Sequence, residues 1–187
     1  MIRSGGRHRD DLSWVREETP VWDADKQRVI GGAPEGAFDL PFAEGDPLPG
    51  EWWSARDGET VVGYGRLDIG WGGDAEILLA VDPARQEEGI GTFVLGALEG
   101  EALRRGINYV YNVVPEHPER IVVHDWFVIR GFRGPIDGDL RKRLGARPGV
   151  RRTQPATDAP YDPASEGDHG PGDEESGGYV DIDDHQY

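Results

Sequence analysis

Two spacings of apolar residues organise the middle of the chain, from about residue 51 to residue 143. Strand-like runs rich in Trp, Val and Tyr flank Asp57-Gly58, which predicts a β-hairpin. Trp52 and Trp53 are adjacent in the first run, so they face opposite sides of the strand. One of them lining a binding groove is the alternative, and we expect both to be packed. The run AEILLAVDP predicts a buried strand that stops at Pro83.

Helical spacing begins directly after this strand. The apolar positions with that spacing are Ile90, Phe93, Val94, Ala97, Leu98 and Ala102. Gly106 follows two arginines and is expected to end this helix. INYVYNVV then predicts a strand, and ERIVVHDWFVIRGF predicts a second helix that stops at Gly131. Residues 132–147 supply one or two short final strands.

The resulting order is hairpin, strand, helix, strand, helix, strand, which predicts an α/β fold with a mixed sheet. We divide the chain into a segment 1–50, a core domain 51–147 and a tail 148–187. The first segment combines DDLSWVREE, interpreted as a short helix, with a Gly/Pro-rich loop.

The tail differs from the rest of the chain in composition. Residues 151–187 carry ten acidic and two basic side chains and almost no clustered aliphatic residues. Such a segment cannot bury enough apolar surface to offset the entropy lost on ordering, so we predict that it is disordered. Its last stretch, GGYVDIDDHQY, fits either a short docking peptide for a protein partner or a solubilising acidic end.

Charge and composition exclude several classes of function. The chain has no cysteine, and its five histidines show no metal-like spacing with carboxylates, so we assign no metal. A net charge of -16 argues against nucleic acid or an anionic membrane as partner and favours a cationic one. The N-terminus lacks the apolar core of a signal peptide, so we expect a cytoplasmic location.

Glycines separate the AEILLAVDP strand from the helix that follows it. Gly89 and Gly91 would let backbone N–H groups approach an anion at the positive end of the helix dipole, without a Cβ in the way. The loop matches neither the three-glycine dinucleotide fingerprint nor the Gly-Lys-Ser/Thr phosphate loop. By itself, it is compatible with a phosphate site or with an ordinary turn.

The whole arrangement resembles the GNAT superfamily of N-acetyltransferases. The acetyl-CoA loop of that family reads Gln/Arg-x-x-Gly-x-Gly/Ala, and here it reads Gln86-Glu87-Glu88-Gly89-Ile90-Gly91. VVGYGRL, AEILLAVDP and INYVYNVV resemble consecutive strands of the family, and DWFVIRGF resembles its closing helix. The resemblance covers about residues 50–135. It implies a mostly antiparallel twisted sheet with a splayed central strand pair and flanking helices.

The resemblance also implies acetyl-CoA as cosubstrate and a set of residues that bind it. The pantetheine arm would lie beside the strand residues, and the pyrophosphate would sit on the amides of the loop. The implied residues are Leu79, Ala80, Val81, Gln86, Glu87, Glu88, Gly89, Ile90, Gly91 and Thr92. Because Glu87 and Glu88 are acidic, they fit this site only if their side chains point to solvent.

For catalysis, the resemblance implies Glu76 as the base that removes a proton from the amine; the alternative is a sheet-edge residue without a chemical role. The family's usual general acid is a tyrosine four residues before the Gly of Gly-Phe, and Phe127 occupies that position. Phenylalanine cannot donate a proton. Tyr111, Asn112 and His124 are candidates to replace the tyrosine, and each of them also has a purely structural interpretation.

We therefore expect an enzyme that transfers an acetyl group to a primary amine of a small molecule or peptide by direct attack. The alternative is a catalytically weak or inactive GNAT-fold protein that binds or regulates through its acidic tail; a third interpretation keeps the fold and uses a longer acyl-CoA. The expected partners are an amine acceptor, for which the charge favours a cationic one, and a protein for the tail. Monomer and homodimer both remain open.

Overall fold

A six-stranded sheet forms the centre of the computed structural model, which describes residues 11–145. Its strands are β1 (Leu12–Glu17), β2 (Glu51–Asp57), β3 (Thr60–Ile69), β4 (Asp74–Val81), β5 (Tyr109–Val113) and β6 (Asp139–Arg143). They lie in the sheet in chain order, and only β4 and β5 are parallel. The predicted mixed, mostly antiparallel sheet is therefore confirmed. The predicted disordered tail lies outside the described residues.

Three helices flank the sheet: α1 (Ala24–Val29), α2 (Ile90–Arg104) and α3 (Arg120–Ile129). One buried cluster packs α2 and α3 against one face of the sheet, and a second cluster packs α1 against the other face. Trp53 belongs to the first cluster and Trp52 to the second, so both are packed as expected. In residues 11–145, no helix has the length and apolar character needed to cross a bilayer.

The prediction of a helix at DDLSWVREE is wrong, because Leu12–Glu17 forms the edge strand β1. This strand pairs antiparallel with β2, and Trp14 stacks on Trp53 with ring centroids 5.9 Å apart. Leu12 and Trp14 have the two-residue spacing of a strand, and β2 supplies the hydrogen-bond partners. The helix of this region is α1, which begins where the Asp23 side chain accepts from the Lys26 backbone N–H at 2.8 Å.

A buried lysine ties α1 to the sheet. The Lys26 side chain is 1% exposed, and its Nζ lies 2.7 Å from Glu17 Oε2 and 3.5 Å from Asp23 Oδ2. The same ammonium lies 4.7 Å from the centre of the Tyr64 ring, and burial together with the neighbouring carboxylates raises the pKa of Tyr64. Removing only the ammonium would leave two carboxylates close together without their cation.

We expect Lys26→Met to lower the free energy of unfolding by about 2–3 kcal/mol, because Glu17 loses its cation while the apolar volume is kept. Urea unfolding at pH 7 measures the change. In the Lys26→Met background, Glu17→Gln should restore about 1 kcal/mol by removing the unpaired charge. A Lys26→Met protein as stable as the wild type would show that the ion pair does not stabilise the fold.

Candidate functional site

The sheet opens between its two parallel strands. β4 and β5 pair only through Asp74–Glu76 and Tyr109–Tyr111, although β4 continues to Val81. At the point of separation, Asn112 Nδ2 donates to the Ile77 carbonyl oxygen at 2.7 Å. A side chain thus replaces the next backbone bond, and a gap opens beyond it toward the carboxyl ends of both strands.

Backbone groups of β4 line this gap. Asp82 N–H donates to Val62 O, and Gly70 N–H donates to Asp74 O, so the even-numbered residues of β4 bond to β3. Alternate residues of a strand direct their backbone groups to opposite sides. Leu79 and Val81 therefore direct their N–H and C=O groups into the gap, whereas Ala80 bonds toward β3. An extended ligand can pair with such an edge as an added strand.

The loop after β4 contains two residues in the left-handed backbone conformation, at the end of the gap. Glu87 and Gly89 both have left-handed backbone angles, with φ of 66° and 83°. For a non-glycine residue this conformation costs on the order of 1–3 kcal/mol. The side chains of Gln86, Glu87 and Glu88 are exposed, which meets the condition stated above for the two acidic residues.

Helix α2 begins at this loop without a side-chain cap. Gly89 is the N-cap residue, and no side chain caps the helix there. The first backbone N–H groups of a helix have no partner within the helix, and the helix dipole makes this end positive. Ile90 is buried in the core, with 2% exposure, and anchors the turn. The loop and the first turn therefore have the geometry of a phosphate site, and they fit the pyrophosphate of coenzyme A.

Glu76 lies at the last paired position before the gap. Its side chain is 37% exposed, and Oε1 accepts a hydrogen bond from Arg66 Nη2 at 3.1 Å. In the parallel register it lies opposite Tyr111, so both side chains are on the same face of the sheet. That face is the one that packs against α1, because the neighbouring even-numbered residue Leu78 belongs to the α1 cluster.

The three candidates to replace the missing tyrosine have different surroundings. The Asn112 amide is engaged with Ile77 O. The His124 ring nitrogens lie 3.2 Å from Asp125 Oδ1 and 3.3 Å from Gly134 O. Tyr111 is half-buried beside Glu76, and its pKa is raised by burial and by the charge of Glu76. Of the three, Tyr111 is the one on the same face as the carboxylate.

Phe127 is a core residue rather than a site residue. It is 2% exposed and packs edge-to-face on Phe132, with ring centroids 4.9 Å apart. Sequence reasoning did not single out Arg66. A count of paired positions from the turn at Gly70–Gly73 would have placed it near Glu76, because Asp68 pairs with Glu76 and Arg66 is two residues further along β3.

Part of the N-terminal segment covers the ends of the two splayed strands. A Cβ at Gly32 would lie 3.3 Å from the Pro83 side chain, and one at Gly36 would lie 2.9 Å from the Glu116 carbonyl oxygen. The segment thus runs from the end of β4 to the loop after β5. It also forms a partly open cavity of about 190 Å³. All residues that line this cavity lie between Trp22 and Phe42, so it is separate from Glu76.

Comparisons with known proteins agree with this architecture. The family model "Acetyltransferase (GNAT) family" matches residues 10–124, whereas no curated protein matches the chain. A GCN5-related N-acetyltransferase from Kribbella flavida is 19% identical with a TM-score of 0.53, over 72% of this chain and 99% of its own. N-acetylglutamate synthase from Neisseria gonorrhoeae, complexed with coenzyme A and L-arginine, is 17% identical with a TM-score of 0.50, over 71% of this chain and 33% of its own.

A further solved structure is the PaiA N-acetyltransferase from Thermoplasma acidophilum in complex with coenzyme A. It is 22% identical with a TM-score of 0.44, over 50% of this chain and 60% of its own. The chain thus spans less than two thirds of this relative and about one third of the synthase. Acetyl-CoA, the expected cosubstrate, is the one that GNAT enzymes use. Since the family model covers more than half of the 187 residues, the chain belongs to the GNAT family of acetyltransferases.

Proposed function

We propose that this protein is an acetyl-CoA-dependent N-acetyltransferase that acts on a primary amine by direct attack. The observation that carries the proposal is the continuity of three features along β4. These are a carboxylate at the last paired position, an unpaired backbone edge beyond it, and an uncapped helix N-terminus at its end. Acetyl-CoA has its parts in the same order. Its thioester would lie near the carboxylate, its extended pantetheine arm along the unpaired edge, and its pyrophosphate at the helix N-terminus.

The chain's own residues would hold the cosubstrate in two ways. The backbone of Leu79 and Val81 would pair with the amides of the pantetheine arm, as an added strand does. The amides from Gln86 to Thr92 would hold the pyrophosphate. Acetyl-CoA supplies the activated acetyl thioester.

Glu76 is proposed as the general base. As the amine nitrogen forms a bond to the thioester carbonyl carbon, Glu76 accepts the proton that the nitrogen loses, directly or through a water. The bond from Arg66 to Oε1 fixes the orientation of the carboxylate.

Tyr111 is proposed as the general acid. When the carbon–sulfur bond breaks, its phenol donates a proton to the sulfur, which leaves as the thiol. A tyrosine phenol is protonated at neutral pH, as a donor requires, and the raised pKa of Tyr111 extends this protonated state to higher pH. Proton return from Glu76 to Tyr111, through solvent, restores the starting state.

The charge around Glu76 favours a cationic acceptor. Asp68 pairs with Glu76 across β3 and β4 and is exposed, and Asp74 lies two residues before Glu76 on the same face. Arg66 pairs with Glu76 and Arg141 with Asp74. Exposed Asp68 and the net charge of -16 are therefore the features that would attract an amine with a second positive charge.

Calorimetric titration with acetyl-CoA and desulfo-CoA tests whether the protein binds the proposed cosubstrate. Binding in the micromolar range is expected; absence of binding would favour the alternative, a GNAT-fold protein that binds or regulates without catalysis. Transfer to an amine is tested by measuring the release of coenzyme A with a panel of neutral, mono-cationic and poly-cationic amines. Tight binding without turnover on any amine would contradict the enzymatic proposal.

Tyr111→Phe is expected to lower kcat by about tenfold. This loss is smaller than the loss usually seen when an acid–base residue is removed, because a thiolate is a tolerable leaving group. In the wild type, activity at alkaline pH should be lost at a higher pH than an unperturbed tyrosine would give, because the pKa of Tyr111 is raised. The measurement is kcat from pH 7 to pH 11.

Tyr109→Phe is the matched control, because Tyr109 is two residues away on β5 and is 41% exposed. It should keep the wild-type kcat. A Tyr111→Phe enzyme with unchanged kcat and an unchanged pH profile would remove Tyr111 from the mechanism.

A further inference from the structure

Arg130 is held beside the first turn of α2 by contacts from α3. Its guanidinium lies 3.7 Å from the centre of the Trp126 ring, and its Nη1 donates to the Trp126 carbonyl oxygen at 2.9 Å. Its Nη2 donates to Thr92 Oγ1 at 3.0 Å, and Thr92 is the third residue of α2. The tip of Arg130 is thus fixed next to the uncapped helix N-terminus.

Trp126 keeps this arrangement close to the glycine loop. A Cβ at Gly91 would lie 3.3 Å from Trp126 Cζ2, so the indole packs directly against the glycine. A guanidinium stacked on an aromatic ring loses little conformational freedom when it binds a ligand. Its planar set of N–H donors also matches the oxygens of a phosphate.

The charges of the loop make a nearby cation important. Glu87 and Glu88 put two negative charges in the loop that faces the proposed pyrophosphate. Arg85 is engaged on the other side, because it ion-pairs with Glu88 at 2.7 Å and with Asp57 at 3.0 Å. Arg85 is thus shared between two carboxylates, and backbone amides alone would have to offset the charges of the phosphates and of Glu87. A cation delivered from α3 reduces this repulsion.

We propose that Arg130 is a phosphate-binding residue of the acetyl-CoA site. Stacked on Trp126 and bonded to Thr92, it donates to a phosphate group that sits at the first turn of α2. This inference rests on the proposed function, since it assumes that the loop binds coenzyme A. It adds a side-chain cation, from an element outside the glycine loop, to a site otherwise formed by backbone amides.

Calorimetric titration of the full chain with coenzyme A and with dephospho-CoA tests the inference without any assay of activity. Arg130→Gln should weaken coenzyme A binding by about 10- to 100-fold, the range for a charged hydrogen bond. Arg130→Lys keeps the charge but loses the planar donor set, so an intermediate loss is expected. The dependence of Kd on salt concentration should be shallower in Arg130→Gln than in the wild type.

Dephospho-CoA distinguishes the two phosphate sources. An equal loss for both ligands assigns Arg130 to the pyrophosphate, and a loss confined to coenzyme A assigns it to the 3′-phosphate. Arg133→Gln is the matched control. Arg133 is exposed three residues further on and donates to the carbonyl oxygens of Val128 and Phe132, so its loss should leave Kd within about twofold.

The outcomes separate this inference from the proposed function. If the wild type binds coenzyme A and folded Arg130→Gln and Arg130→Lys proteins bind it equally well, the inference is overturned while the function stands. If the wild type itself does not bind, the cosubstrate proposal fails first. Thermal unfolding of each variant shows whether a weakened Kd merely reflects loss of the contacts to Trp126 and Thr92.

Discussion

Gly91→Glu is expected to weaken acetyl-CoA binding by at least about 100-fold, because like charges brought together in a binding site cost several kcal/mol. Gly91 is the second residue of α2, so a carboxylate there would lie among the amides proposed to hold the pyrophosphate. The same carboxylate is favourable for the helix itself, since acidic side chains in a first turn complement the helix dipole. Binding should therefore be lost while the fold is kept.

Two control variants separate charge from crowding in this experiment. Gly91→Ala adds only a Cβ, which would lie 3.3 Å from Trp126 and requires a small shift of the indole. Gly96→Glu places the same carboxylate on an exposed part of the same helix, where an added Cβ meets no heavy atom within 4 Å. Gly96→Glu should bind acetyl-CoA like the wild type, and Gly91→Ala should lose much less affinity than Gly91→Glu.

Calorimetric titration measures the affinities, and thermal unfolding verifies that each variant is folded. If folded Gly91→Glu binds acetyl-CoA with wild-type affinity, the phosphate does not lie at the start of α2. The assignment of the loop from Gln86 to Thr92 would then be wrong.

Glu76→Gln is expected to lower kcat at pH 7 by about 10²- to 10³-fold, the range for loss of a general base. Glutamine keeps the oxygen that accepts the bond from Arg66, so the side chain should stay in place while its ability to take a proton is lost. At pH 9–10 part of the activity should return, because more of the amine is then present as the free base. Affinity for acetyl-CoA should not change.

Asp68→Asn is the matched control for Glu76→Gln. Asp68 is the exposed carboxylate directly opposite Glu76 in the β3–β4 register, and its removal changes the local charge by the same amount. It should raise KM for a cationic amine without a large effect on kcat. Full activity of Glu76→Gln at pH 7 would show that Glu76 has only a structural role.

Much of the core fold could be predicted from local patterns. Asp57-Gly58 marks the hairpin between β2 and β3, Pro83 follows the end of β4, and Gly106 follows α2 with a φ of 73°. These signals are local because turn geometry and helix ends depend on a few neighbouring residues. The position of the glycine loop also depends only on neighbouring residues, so the sequence predicts it.

The N-terminal strand β1, which was predicted to be a helix, shows what local sequence patterns cannot predict. Leu12–Glu17 is only six residues long, and its conformation depends on pairing with β2 about forty residues later. A short amphipathic run fits a strand or a helix until its partner is known. Here β2 and the stacking of Trp14 on Trp53 select the strand.

The candidate site likewise combines features that the sequence determines with contacts that depend on the tertiary structure. The sequence alone determined the order of the elements from β2 to β6, the acidic character of the chain, the glycine loop and the absence of a tyrosine at Phe127. Only the tertiary structure decided that Asn112 closes the paired part of β4 and β5, that Arg66 contacts Glu76, and that Arg130 reaches Thr92. These contacts join residues 10–38 positions apart, and sheet register and helix packing bring such residues together in ways that no local spacing specifies.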